Sequence, residues 1–249
     1  MSESKSPLLD EKRFSSLARE ADATVPFTAR GTIVKCALML VAAMLTAATA
    51  WTQLDRGRGD LAFPIAIGGA IVAFICAWVG AVSVRHVVWA APVYALAEGF
   101  VLGAVSWIYE AKTQGIVVQA VIATFATLLT MLVLYRTGLL RATGTFRKVV
   151  TIATISVALF YLGNMLLRMF NVGGWSMETG TNLALDLTIG GVIIVIAALN
   201  LILDFDFIDR AEESGAPERL EWTAALGIMV TTVWIYFEIL KWLRRLNRR

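Results

Sequence analysis

The sequence predicts an all-α, polytopic membrane protein: a bundle of seven transmembrane helices. Of its 249 residues, 58% are hydrophobic, which exceeds the roughly 45–50% of soluble domains. The mean hydropathy is +0.71. The apolar residues come in long runs separated by short charged stretches, and about 20 apolar residues cross the hydrocarbon core of a bilayer.

The chain begins with a polar stretch, residues 1–30, that has no long apolar run. We expect a disordered cytosolic tail with a short amphipathic helix around residues 12–20. No short apolar core is followed by an Ala-x-Ala site, so a cleaved signal peptide is not expected. Residues 31–245 are predicted to form one seven-helix transmembrane domain, and residues 246–249 a basic C-terminal tail.

The apolar runs define the spans in order. In the first span, Lys35 is near the entry, where its side chain can snorkel to the interface. The connections are short, which favours antiparallel neighbours in one bundle. The predicted spans are 32–53, 61–84, 87–109, 115–135, 149–170, 183–207 and 222–242.

The distribution of basic residues predicts a cytosolic N-terminus. Twelve Lys and Arg residues fall on the N-terminal side of the membrane and four on the other side, and basic residues favour the cytosol. The last segment, KWLRRLNRR, conflicts with this pattern, because seven spans place its five basic residues outside. Either the segment is an exception or it is re-entrant; seven full spans is the prediction.

Composition and motifs exclude several classes of function. Cys36 and Cys76 lie in apolar runs without a CxxC spacing or a nearby His, so they are interpreted as small buried side chains and not as metal ligands. The basic residues are scattered, which argues against a nucleic-acid partner. There is no nucleotide-binding loop, nucleophile–base arrangement or zinc motif, so neither an enzyme nor a tightly bound cofactor is expected.

Acids in the last two spans are the main functional candidates. Asp204 and Asp206 lie where the sixth apolar run ends, and Glu238 lies inside the seventh. An acid within a membrane is costly unless it is paired, protonated or hydrated, and such acids usually have a function. Asp206 is about 200° around the helix from Asp204 and is expected to pair with Arg210 at i+4.

Two further observations concern neighbouring acids. Glu98 lies near the middle of the third span, beside Gly99 and Gly103, which form a small-xxx-small pattern for close helix packing. Glu238 has an alternative role as an ordinary ion-pair partner of Lys241 at i+3. Asp209, Glu212 and Glu213 belong to a solvated helix end that Gly215 and Pro217 terminate, and they are not site candidates.

A stripe of polar and small residues follows one face of the sixth span. This face either packs against a neighbouring helix or lines a functional path; Asp204 at its end favours the functional interpretation. Its members have helical spacing: Asp186, Gly190, Ile193, Ala197, Asn200 and Asp204.

Nearby carboxyl groups in a low dielectric have specific chemistry. Two of them do not both ionise readily, so the pair can hold a proton at one pH and a cation at another. Calcium prefers oxygen ligands, and two acids alone make a weak, partly hydrated site. Asp204 and Glu238 are therefore candidates for a weak calcium site.

These segments resemble the Bax inhibitor-1 family, also called the transmembrane BAX inhibitor motif family, and its bacterial branch most closely. The segments are VYALAEGFVLG in the third span, LNLILDFDFI in the sixth and WIYFEILKWLRRL in the seventh. The resemblance covers essentially the whole membrane region. It implies a seven-helix fold with a central helix surrounded by the others.

The resemblance also implies a function and a set of site residues. Bacterial members look like pH-sensitive calcium leak channels in which two carboxylates form a pH-sensing latch and an arginine holds one of them. By motif, the carboxylates correspond to Asp204 and Glu238, and the arginine to Arg85.

The chain departs from the family pattern in two places. Glu238 stands where the family usually has Asp, and the stretch EESGAPERLEW lengthens the connection from Asp204 to Glu238. The predicted spans place these two acids at different depths. Either the sixth helix extends to about Glu213, or the acids are not partners and Glu238 pairs with Glu98 instead.

The sequence thus predicts a pH-gated cation leak in a bacterial plasma membrane, with calcium as the permeant ion. Asp204, Glu238 and Arg85 are the predicted gate, and Glu98, Asn200 and Asp186 are secondary candidates. The rival is a non-conducting regulator that binds another membrane protein, such as a quality-control protease. A proton-coupled carrier is disfavoured because no inverted repeat is present. Beyond the lipid bilayer, the sequence identifies no partner and sets no oligomeric state.

Overall fold

The computed structural model describes residues 25–170 and 183–247. Seven helices in this part of the chain are long and apolar enough to cross a membrane, which confirms the predicted fold class. The predicted amphipathic helix at 12–20, and all of the predicted tail before residue 25, lie outside the described residues. The helices are α1 (Ala29–Asp55), α2 (Ala62–Val82, after a 3-10 turn at Gly59–Leu61), α3 (Val84–Glu110), α4 (Ile116–Arg136), α5 (Gly144–Met169), α6 (Leu183–Glu213) and α7 (Leu220–Leu246).

The helices begin and end within a few residues of the predicted spans, except in two places. α5 starts at Gly144 and not at 149. α6 continues to Glu213, which is the longer sixth helix considered above for the depths of Asp204 and Glu238. α7 is a single helix of 27 residues, about 40 Å long at 1.5 Å per residue. An unbroken helix of this length does not fit a re-entrant segment.

Local sequence signals explain where α1 begins and where α6 ends. Thr28 is the N-cap of α1, and its hydroxyl accepts a hydrogen bond from the Gly31 N–H. After α6, Gly215 has a φ of 64°, a left-handed conformation that glycine adopts without strain. The Ala216 N–H then donates to the Ala211 carbonyl at 3.0 Å. Gly215 therefore ends α6, as predicted.

The chain divides into two compact units. The first unit comprises Met1–Ile108 and Phe207–Val230, and the second comprises Tyr109–Asp206 and Thr231–Arg249. The first unit thus contains most of α1 to α3, the end of α6 and the start of α7. The second contains α4, α5, most of α6 and the rest of α7.

In the first unit, α1 and α3 pack through small residues. A Cβ atom at Gly99 would lie 2.3 Å from the Ala43 carbonyl oxygen, and one at Gly103 would lie 2.4 Å from the Ala47 carbonyl oxygen. Only glycine permits such close contact of the two backbones. The predicted small-xxx-small packing at Gly99 and Gly103 is confirmed.

The helices differ strongly in how much of their surface is covered. In the most apolar stretches of α3 and α7, 56% and 61% of the residues are buried, and in α6 39% are. In the other four helices the share is 11–17%. The exposed apolar side chains of those four, such as Phe63 and Phe74, fit contact with lipid. The predicted acids therefore lie on the three helices that the protein itself covers most.

Candidate functional site

Asp204 lies on α6 and forms a contact with α7. The Thr231 hydroxyl donates a hydrogen bond of 2.7 Å to Asp204 Oδ2. Asp204 is half-buried, and Thr231 is buried. Among the described residues, Asp204 has no further hydrogen bond and no ion pair. We call this interaction the Asp204 contact; it joins a carboxyl group to a neutral partner within the membrane span.

The predicted stripe on α6 faces the inside of the second unit. A Cβ atom at Gly190 would lie 3.0 Å from the Trp242 ring and 2.9 Å from the Arg245 guanidinium, so this part of the stripe packs against α7. The Asn200 amide donates to the Thr154 hydroxyl of α5 at 2.8 Å. Ile193 and Ala197 are buried. The stripe is thus a helix-packing surface that also carries Asp204.

Asp186 begins the stripe near the start of α6 and is buried. Its backbone carbonyl accepts a hydrogen bond of 3.2 Å from Arg245, and the neighbouring Leu187 carbonyl accepts one of 3.0 Å from the Trp242 indole. These two bonds attach the last turns of α7 to the first turn of α6.

Glu238 is at the centre of a buried polar group, which we call the Glu238 cluster. Its Oε1 atom accepts hydrogen bonds from Lys241 at 2.6 Å, Tyr161 at 2.8 Å and Trp234 at 3.2 Å. The Lys241 ammonium also donates to the Tyr161 hydroxyl at 3.1 Å and lies 4.7 Å from the centre of that ring. The i+3 ion pair named as the alternative role of Glu238 is therefore present.

The two carboxylates belong to separate groups. Thr231, the partner of Asp204, lies seven residues before Glu238 on the same face of α7, which corresponds to an offset of about 10 Å along the helix axis. Asp204 and Glu238 share no hydrogen-bond partner among those described. Within the described residues, no group of three or more His, Cys, Asp or Glu side chains could hold a metal ion. The separation favours two independent carboxylates over one shared calcium site.

Glu98 and Arg85 both lie on α3, in very different environments. Glu98 is only 8% exposed, and no hydrogen bond or ion pair joins it to another described residue. Arg85 is exposed at the second position of the helix, and it likewise has no ion pair within the described part of the chain. The predicted pairing of Glu98 with Glu238 and the latch role of Arg85 stay predictions.

Asp206 has a partner that sequence reasoning missed. Its carboxylate lies 2.7 Å from the Arg147 guanidinium of α5. The predicted pairing with Arg210 stays a prediction. Arg147, Thr154 and Tyr161 are spaced seven residues apart along α5, and each contacts α6 or α7. An i, i+7 repeat of polar residues on a single apolar helix was the signal that could have revealed this face.

Glu221 is a buried acid that sequence reasoning missed. It is 2% exposed and forms an ion pair with Lys35. The Lys35 ammonium also lies 3.0 Å from Glu218. The snorkelling of Lys35 stays a prediction; the structure adds that two carboxylates compensate its charge. Both acids come from EESGAPERLEW, the stretch that departs from the family pattern.

These features define a class of protein: a polytopic α-helical membrane protein with buried carboxyl groups on its most covered spans. The family model described as Bax inhibitor 1 like matches residues 6–248. The chain therefore belongs to the Bax inhibitor 1 like family, as its motifs indicated. No curated protein and no solved structure matches the chain.

Proposed function

We propose that this protein is a pH-sensitive cation leak of a bacterial plasma membrane, with calcium as the permeant ion and the N-terminus in the cytosol. The observation that carries the proposal is the Asp204 contact. It provides a half-buried carboxyl group whose described partner, the Thr231 hydroxyl, is neutral.

The chemistry of such a carboxyl group depends on its proton. In the neutral form it is satisfied by a hydroxyl partner, whereas the ionised form within a membrane requires a cation or water. Because no described cationic side chain pairs with Asp204, a permeating cation can supply the missing charge. Carboxylate and hydroxyl oxygens are suitable calcium ligands. A proton and a cation therefore compete for the same group, and this competition supports a leak that depends on pH.

Glu238 has a smaller part in this proposal. Lys241 already compensates its charge, so a permeating cation is not needed to stabilise its ionised form. We assign Glu238 mainly to holding α7 against Tyr161 of α5. Arg85 keeps its proposed role as the latch, at the start of α3.

The proposal is tested by measuring calcium flux into proteoliposomes at about pH 6 and about pH 8. Wild-type protein should show a flux that differs between the two pH values, and Asp204→Asn should remove that difference. Glu238→Gln should retain at least part of it. The matched control is Asp60→Asn, the same chemical change at an exposed residue outside the long helices, which should behave like wild type.

Two outcomes would contradict the proposal. If Asp204→Asn kept both the flux and its pH dependence, Asp204 would not be the proton-sensing group. If wild-type protein carried no calcium at either pH, the leak itself would be excluded. The rival function, a non-conducting regulator that binds another membrane protein such as a quality-control protease, would then be favoured.

A further inference from the structure

A short segment before α1 is docked on the turn between α6 and α7. In this segment, residues 25–28, the Phe27 N–H donates to the Ala216 carbonyl at 2.7 Å, and the Val25 carbonyl accepts from the Glu218 N–H at 3.0 Å. Pro26 and Pro217 face each other as an isolated antiparallel bridge. We call residues 25–28 the strap. Pairing of backbones in this way is a common mode by which an extended peptide binds to a protein.

The strap is anchored by a single large side chain. Phe27 is 2% exposed, whereas Val25 is 49% exposed. Phe27 therefore closes the space where the start of α3, the end of α6 and the start of α7 meet. The buried residues that cluster with it are Val84, Ile208, Ala211, Ala216, Leu220 and Ala224.

Two acids of the α6–α7 connection attach the strap and the start of α1. Glu221 accepts hydrogen bonds from the Thr28 N–H at 2.8 Å and from the Thr28 hydroxyl at 2.9 Å, in addition to its ion pair with Lys35. Glu212 accepts one from the Ala29 N–H at 2.9 Å. Carboxylates are favourable at a helix N-terminus, where backbone N–H groups lack helical partners. The attachment thus involves both the last turn of α6 and the first turn of α7.

The attached ends of α6 and α7 lie a few turns from the residues of the proposed gate. On α6, Asp204 lies eight residues before Glu212; on α7, Thr231 lies ten residues after Glu221. Helices move largely as rigid rods, with the change in angle absorbed near their ends. Because α6 and α7 are each continuous through these residues, fixing their ends limits the motion of the helices that carry Asp204 and Thr231.

We propose that the strap is a built-in brake on the α6–α7 turn: the docked strap holds both helices in the less conducting arrangement, and its release increases the leak. This inference rests on the proposed function. The occupant of the docking surface is the chain's own residues 25–28. The strap is held by two backbone hydrogen bonds to the turn, two hydrogen bonds from Thr28 to Glu221 and one buried anchor. These are fewer bonds than hold the long helices beneath it, so the strap opens more readily than they do.

The first test removes the anchor. Phe27→Ala should raise calcium flux about fivefold or more, because losing a buried aromatic side chain shifts a two-state equilibrium by at least that factor. Phe63→Ala, the same truncation at an exposed position of α2 outside the strap, should leave the flux at the wild-type level. Equal fluxes in the two variants would overturn the brake.

The second test locks the strap in place. Pro26 and Pro217 are paired in an antiparallel bridge, and residues directly opposite in such a pair usually have the spacing that a disulfide needs. Pro26→Cys with Pro217→Cys, in a background where Cys36 and Cys76 are alanine, should leak less when oxidised and recover on reduction. Pro26→Cys alone is the control and should not respond to redox conditions. An oxidised double variant that leaks as fast as the reduced one would overturn the proposal.

The third test does not depend on flux and separates this proposal from the proposed function. Hydrogen exchange of the Phe27 and Glu218 amides should be faster than that of the buried Ile235 amide in α7, because the strap opens on its own. If wild-type protein shows no flux but these amides exchange faster, the leak fails and the strap remains a separable element. If they exchange only as fast as Ile235, the strap does not open separately and the brake is excluded.

Discussion

The carboxyl groups of the Asp204 contact and the Glu238 cluster differ in how deeply they are buried and in the charge of their partners. Both lie in the second unit, and both join α7 to another helix. Glu238 is 3% exposed and has three donors, one of them the Lys241 ammonium. Asp204 is half-buried and has one described donor, the neutral Thr231 hydroxyl.

The difference shows that burial alone does not identify a proton-sensing acid. A buried carboxylate with its own cation is already compensated and serves mainly to hold helices together. A carboxyl group whose only partner is a hydroxyl group can bind either a proton or an external cation. By this criterion we propose Asp204 as the responsive group and Glu238 as the structural one.

The largest effect is expected from removing the cation of the Glu238 cluster. Lys241→Met leaves the Glu238 carboxylate buried without its ion-pair partner. Stability should fall by about 3 kcal/mol, the low end for a buried pair, because Lys241 is partly exposed. Thermal unfolding in detergent micelles measures this. The double variant with Glu238→Gln should recover part of the loss; simple addition of the two single effects would show that the residues are not coupled.

A smaller loss of stability, with a change in pH response, is expected at the Asp204 contact. Thr231→Val keeps the shape of the side chain but removes the hydroxyl donor, which costs about 1 kcal/mol. The midpoint of calcium flux against pH should move, because the environment of the Asp204 proton changes. Thr231→Ser should retain the wild-type profile. An unchanged profile in the valine variant would separate the pH response from this contact.

The smallest effect is expected from Tyr161→Phe. This change removes one donor to Glu238 but leaves Lys241 and Trp234, so stability should fall by less than about 1 kcal/mol. The pH profile of the flux should stay as in wild type, in contrast to Thr231→Val. A shift in the profile as large as that of Thr231→Val would make Glu238 a second sensor and erase the distinction between the two groups.

The membrane fold followed from the sequence because each apolar run carries its own signal. A helix satisfies its backbone hydrogen bonds internally, so a run of about 20 apolar residues is sufficient to predict a span. The end of α6 was harder to predict, since its last turns are charged and lie between the end of the apolar run and the stop signals Gly215 and Pro217.

The candidate acids also followed from the sequence, but their partners did not. Asp204 and Glu238 are conspicuous in apolar runs, and Lys241 was identified because it is close in sequence. Thr231, Tyr161 and Arg147 are distant in sequence from the acids they contact. Glu221 was overlooked because it follows a polar stretch, EESGAPER, that looks like an ordinary loop.

The sequence by itself therefore determined the membrane class, the seven spans, the family and which acids are costly to bury. These properties depend on local composition and on backbone hydrogen bonds within each helix. Only the tertiary structure decided which acid has a cation, which has a hydroxyl, and that residues 25–28 dock on the α6–α7 turn. Those outcomes depend on contacts between distant segments, and composition alone does not specify which side chains meet.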